Sequence, residues 1–161
     1  EPRGGTETAV VYTCEALASL GHDVLIFCNT PEEGTWHGVE YRRAHGFKAQ
    51  AQDEVFDIFG VVRHLIAFTF PIKARATFYW CHDNLEQPFT HGALRVFEQE
   101  ENSESLAYAF SLGEFSSAID KVLAVSQWQA GVSSGHFKLS EEKVCVIGNG
   151  LQPNLFESKW I

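Results

Sequence analysis

A doubly wound α/β domain built on a parallel sheet is the fold this sequence predicts, on three observations. Short apolar runs recur along the chain (DVLIFC, DIFGVV, ATFYWC, KVLAVS and KVCVIG), helix-length segments alternate with them, and no internal repeat breaks the alternation. Runs that are apolar at successive positions belong to strands covered on both faces, and such strands pair in parallel under helices. At 161 residues and 45% hydrophobic, the chain has the size and composition of one globular domain.

The elements follow in order. Residues 6–20 place Val10, Val11, Cys14, Leu17 and Ala18 on one stripe of an amphipathic helix. Thr6 stands at its cap position, Glu7 suits the positive end of its dipole, and Gly21 is its stop. DVLIFC (23–28) is the first apolar strand, TPEEGTWHG (30–38) reads as a loop, and VEYRR (39–43) as a more exposed strand. DIFGVV (57–62), ATFYWC (76–81), KVLAVS (121–126) and KVCVIG (143–148) supply the remaining strands. Residues 105–120 are a helical candidate, and SQWQAGVSSGHF (126–137) is another, with Ser126 placed to cap it. The acidic stretch EQEENSE (98–104) reads as a solvated loop or helix face.

Composition removes several function classes. A net charge of −9, from 21 acidic against 12 basic residues, argues against nucleic acid, whose phosphates need clustered Lys and Arg. The same balance weakens attraction to an anionic membrane surface, so membrane association is not indicated. No stretch approaches the ~20 apolar residues of a membrane span and no signal-peptide pattern opens the chain; the expected location is the cytoplasm. The four cysteines, Cys14, Cys28, Cys81 and Cys145, form no C-x-x-C pair, which predicts buried, reduced thiols. With no D-x-D triplet and no ligand cluster, neither a metal nor another cofactor is expected. The sequence contains no Met at all and is expected to be part of a longer product.

In an open parallel sheet, ligands bind beyond the carboxyl ends of the strands. Those ends run into polar or glycine-rich residues: Arg63-His64 after DIFGVV, His82-Asp83-Asn84 after ATFYWC, Ser126 after KVLAVS, and Asn149-Gly150 after KVCVIG. Gly4-Gly5, just ahead of the first helix, lies on the same edge if a strand precedes it. Each has a plain alternative. Gly4-Gly5 makes a tight turn, or else lets a ligand reach a helix N-terminus that favours anions. His82 bonds a nearby carbonyl, Ser126 caps a helix, Asn149-Gly150 is a turn, and His22 is structural. Trp36-His37 is a further candidate ligand contact. Neither G-x-G-x-x-G nor G-x-x-x-x-G-K-[ST] occurs, so a dinucleotide fingerprint and a P-loop find no support.

Five segments, PRGGTET, LASLGHDVLIF, the strand ending YWCHD, DKVLAVS and VCVIGNGLQPNLF, together resemble one family over nearly the whole chain. It is the retaining glycosyltransferases of the GT-B fold in family 4, also called group 1. The resemblance implies a Rossmann-like sheet with helices on both faces, the N-terminal half of a GT-B fold. Residues 1–156 would form the acceptor-side domain and 157–161 the start of an interdomain linker. A C-terminal, donor-binding domain of the same polypeptide would lie outside this chain. A short hydrophobic strand, central in the sheet, would lead directly into Gly4-Gly5.

By the same resemblance, the whole enzyme moves a sugar from a nucleotide-diphosphate donor to an acceptor hydroxyl, without a divalent metal. His82 would face the donor sugar and bond a hydroxyl or backbone oxygen near the reacting carbon. Gly4 and Gly5 would admit acceptor and donor diphosphate to the helix N-terminus. Ser126 would cap its helix and line the cleft, Arg63 and His64 would meet the acceptor, and Asn149 completes the substrate-binding set. The acceptor is expected to be a soluble glycan, metabolite or protein, and the isolated domain is expected to be inactive. Two alternatives stand beside this reading: another GT-B enzyme, either an inverting transferase or a nucleotide-sugar epimerase, and a non-enzymatic flavodoxin-like α/β binding module.

Overall fold

The computed structural model describes residues 4–63, 67–68, 71–82 and 115–150. His64, the acidic stretch 98–104, most of the helical candidate 105–120, and residues 1–3 and 151–161 lie outside them. The chain forms two compact units, Glu1–Gln50 with Asn149–Ile161, and Ala51–Gly148.

The first unit opens with α1 (Gly5–Ser19), followed by β1 (Val24–Cys28), β2 (Gly34–Trp36) and β3 (Val39–Arg43). Gly4, not Thr6, is the cap of α1, in extended conformation (φ −64°, ψ 163°) and without a side-chain cap bond. The other end closes as a Schellman motif. The His22 amide donates to Leu17 O (3.2 Å), that of Gly21 to Ala18 O (3.0 Å), and Gly21 sits at φ 92°. His22 is therefore structural through its backbone. The predicted stripe is only half-buried, and Leu17 is exposed. Burial and the neighbouring Glu15 push the Cys14 thiol up to about 11, which leaves it protonated and unreactive at neutral pH.

VEYRR is a strand that exposes Glu40 and Arg43, as expected, and it is the central one, parallel to β1 (Val24↔Val39 to Cys28↔Arg43) and antiparallel to β2 (Gly34↔Tyr41, Trp36↔Val39), with Val39 fully buried. One expectation for this unit is corrected. TPEEGTWHG is not wholly a loop, because β2 and β3 form a hairpin across His37-Gly38. Both turn residues have positive φ, 51° and 81°, the signature of a tight hairpin turn whose twist matches its strands. Trp36 packs edge-on against Tyr41 at 5.5 Å. Gly38 also lies where a Cβ would come within 3.2 Å of the Ala18 methyl on α1.

α2 (Phe47–Asp53) carries the chain into the second unit, which contains β4 (Val55–Val62), β5 (Lys73–Cys81), α3 (Phe115–Ala118), β6 (Lys121–Ala124), α4 (Gln127–Phe137) and β7 (Val144–Val146). The four strands form one parallel sheet in the order β4-β5-β6-β7. Register and strand alternation put Phe59, Val61, Tyr79, Cys81, Val122 and Ala124 on one face, and all six are buried. α4 packs on that side, since the Phe137 ring meets Tyr79 edge-on at 5.9 Å. Gly60 has to be small: a Cβ there would fall 2.1 Å from the Phe78 ring of the paired strand.

A polar clasp sets the start of β6. The amide and hydroxyl of Thr77 donate to Asp120 Oδ2 (2.7 and 3.0 Å), and the Asp120 amide returns a bond to Thr77 O (3.1 Å). These bonds from Thr77, with a smaller contribution from Lys143, hold the Asp120 carboxyl below its ordinary value. A depressed folded-state pKa stabilises fully above the ordinary aspartate value of about 3.9, and the contribution fades as pH falls through the lower one. Because Asp120 is exposed, solvent screening keeps it small. Asp120→Asn is expected to lower the urea midpoint near neutrality, with the gap to wild type closing on acidification. A gap of constant size at every pH would show that the charge of Asp120 does not contribute.

Among the described residues, β1 pairs only with β3 and β4 only with β5. β4 carries apolar side chains that remain largely in solvent, with Val55 74% and Ile58 66% exposed.

Candidate functional site

Three of the candidate residues gather at the carboxyl edge of the four-stranded sheet, one at the end of each of three neighbouring strands. β4, β5 and β6 run in register, Val62↔Trp80 and Cys81↔Ala124, so Arg63, His82 and Ser126 leave the sheet on the same side.

Arg63 follows β4 in the left-handed region, at φ 66°. That conformation is uncommon for a side chain other than glycine. Tyr79 fixes it by donating its hydroxyl to Arg63 O at 3.3 Å, from a side chain only 2% exposed. A locally strained residue held by a buried phenol marks a preorganised position.

His82 follows the last ladder residue of β5 and is half-buried. Its imidazole lies 4.7 Å from the indole of Trp80, two residues back on the same strand and therefore on the same face. Trp80 is itself buried, so the ring beneath His82 is a fixed platform.

Ser126 caps α4, its Oγ accepting from the Gln129 amide at 3.1 Å while its carbonyl accepts from Ala130 at 2.9 Å. The capping expectation holds. The helix presents no acidic residue in its first turn, so the positive end of its dipole is not offset there.

The other candidates lie elsewhere. Gly4 and Gly5 belong to the first unit, at the start of α1. Neither has a positive φ, so no tight turn demands glycine at either position. At Gly4 a Cβ would fall 2.3 Å from Glu7 Oε2, which shows that the Glu7 carboxylate folds back over the helix start; at Gly5 nothing lies within 4 Å. Asn149 is exposed and groups with the first unit, and the left-handed turn falls at Gly148 (φ 69°), ahead of the Asn149-Gly150 pair. His64 lies outside the described residues. Sequence reasoning missed Trp80 and Tyr79, although strand alternation alone aligns Trp80 with His82. Nothing in the sequence signals that the Tyr79 hydroxyl reaches Arg63.

Arginine, histidine and a helix-capping serine at the ends of neighbouring parallel strands define an α/β domain whose polar groups stand where open sheets take ligands. A family model described as Glycosyltransferase Family 4 matches residues 3–155, and the chain belongs to that family. No curated protein sequence matches the chain. The family assigns it to proteins that act on a sugar donor and an acceptor. Among the described residues, no helix is long and apolar enough to cross a membrane.

Proposed function

We propose that the chain is the acceptor-side half of a retaining glycosyltransferase, and that its full-length protein moves a sugar from a nucleotide-diphosphate donor to a glycan, metabolite or protein hydroxyl. The observation that carries this is the trio Arg63, His82 and Ser126 at one sheet edge, within a chain of family 4. His82, held on Trp80, hydrogen-bonds a hydroxyl of the donor sugar as positive charge develops at the reacting carbon. Arg63 meets the acceptor, and Ser126 caps α4 and lines the cleft. No metal enters the reading, and the setting is cytoplasmic, which suits four cysteines that form no disulfide.

A C-terminal domain of the same polypeptide supplies most of the donor site, so the 161-residue chain alone is expected not to turn over any nucleotide-sugar. The test is a panel of nucleotide-sugars presented to the full-length protein and, separately, to the isolated chain. Transfer by the isolated chain would overturn the half-enzyme reading, and no use of any donor by the full-length protein would favour the binding module.

Gly5 provides a separate test of ligand approach. Its φ is ordinary and its surroundings are open, so Gly5→Ala carries no steric cost and, at the first position of the helix, raises its stability by less than the roughly 0.5–1 kcal/mol of an interior glycine. If a diphosphate closes on this helix start, the same methyl lowers donor affinity. A raised melting temperature with a raised donor KM is the expected pair of results. A raised melting temperature with unchanged KM would place the ligand away from Gly5.

A further inference from the structure

The strand end that carries His82 and the helix start that carries Ser126 are joined by one buried side chain. Gln129 is 3% exposed. Its backbone N–H donates to Ser126 Oγ at 3.1 Å, and its Nε2 donates to Cys81 Sγ at 3.0 Å. Ser133, one turn further along α4 and fully buried, donates its hydroxyl to the same sulfur at 3.5 Å. Cys81 is the last residue of β5, fully buried, and immediately precedes His82.

A thiol is a weak acceptor, and a carboxamide costs free energy to desolvate, so these bonds add little net stability over an apolar packing. Their effect is on geometry. Side chains alternate along a strand, so Cys81 faces α4 while Trp80 and His82 face the other way. The tip of β5 is therefore held from both faces: by Gln129 and Ser133 through the sulfur, and by the Trp80 ring against the imidazole (4.7 Å).

We propose that Gln129 and Cys81 are positioning residues for His82: through the Gln129–Cys81 bond they fix the tip of β5 against the start of α4, and so fix the imidazole relative to Ser126. The inference rests on the reading of His82 as the sugar-facing residue. Neither Gln129 nor Cys81 touches substrate.

The test uses the full-length protein with kcat, KM and melting temperature measured together. Gln129→Met keeps the length of the side chain and removes the amide; Cys81→Ala removes the sulfur; Cys81→Ser keeps an acceptor. A displacement of about 1 Å costs on the order of a hundredfold in rate, so a partial loss of register is expected to lower kcat about tenfold in the first two variants. KM is expected to stay within about twofold and Cys81→Ser to recover most of the rate. In a His82→Ala background, Gln129→Met should then add less than about twofold, because coupled residues are not additive.

A tenfold loss of the same size in both backgrounds would overturn the proposal, since the side chain would then be acting on the helix and not through His82. An unchanged kcat in Gln129→Met would overturn it as well. Should that variant not fold, a Cys81→Ser rate no better than that of Cys81→Ala has the same consequence. If His82→Ala alone leaves transfer intact, the reading of the site itself falls and this inference with it.

Discussion

Replacing His82 by alanine in the full-length protein is expected to lower the transfer rate about a hundredfold, the usual loss when one preorganised donor to a transition state is removed, with the melting temperature nearly unchanged. The side chain stands past the last paired residue of β5 and is half-buried, although its Nε2 is enclosed, so its removal opens little space in the core. What is lost is a ring held at a fixed height by Trp80, at the edge where the sugar would lie. Single-turnover measurements with saturating donor separate this from binding. A loss smaller than about threefold, within the range of a peripheral contact, would remove His82 from the chemistry and leave it a strand-end histidine.

Phe137→Ala is expected to have the largest effect on stability, about 3–5 kcal/mol, because it truncates a fully buried phenylalanine. The ring is the last residue of α4 and meets Tyr79 edge-on at 5.9 Å, so truncation removes both its own burial and an aromatic pair. Tyr79 in turn anchors the carbonyl of Arg63, so a core change at the far end of α4 reaches the candidate site through one phenol. Urea unfolding followed by tryptophan fluorescence gives the stability directly. A cost below about 1 kcal/mol would mean that the surrounding core collapses into the space.

The centre of the second unit was legible in the sequence because its strands bury one face under α4 and also carry the buried Trp80 on the other. ATFYWC and KVLAVS are apolar at successive positions for that reason, and both runs hold strands of the sheet. Their ends were less so. β5 starts at Lys73, before the apolar run, because backbone pairing with β4 continues where the side chains are exposed; Arg75 and Asp57 there form only a solvent-facing pair at 3.1 Å. β6 stops at Ala124, since Ser126 turns the chain into a helix. The first unit was read less well. A three-residue strand such as GTW has no periodicity to detect, and the His37-Gly38 turn is not one of the Asn-Gly or Asp-Gly pairs that announce a hairpin. VEYRR does expose Glu40 and Arg43, but nothing in its sequence signals that it is the central strand, with Val39 buried.

For the candidate site, sequence punctuation identified the strand ends, and Arg63, His82 and Ser126 do share one edge. The supports of that edge were not legible. Cys81 looked unremarkable, yet it receives two hydrogen bonds from α4 across about fifty residues of chain. Such contacts depend on which face of a strand meets which turn of a helix, and that is decided only once the sheet has its order.

The outer edge of β4 also governs how the isolated chain behaves in bulk. Among the described residues no strand pairs with β4 on the side away from β5, and an open edge flanked by the exposed Val55 and Ile58 is a template on which a second molecule can extend the sheet. A net charge of −9 opposes such encounters by mutual repulsion. Salt shortens the reach of that repulsion to about 8 Å at physiological strength. Added salt is therefore expected to lower the concentration at which solutions of this chain stop being monodisperse.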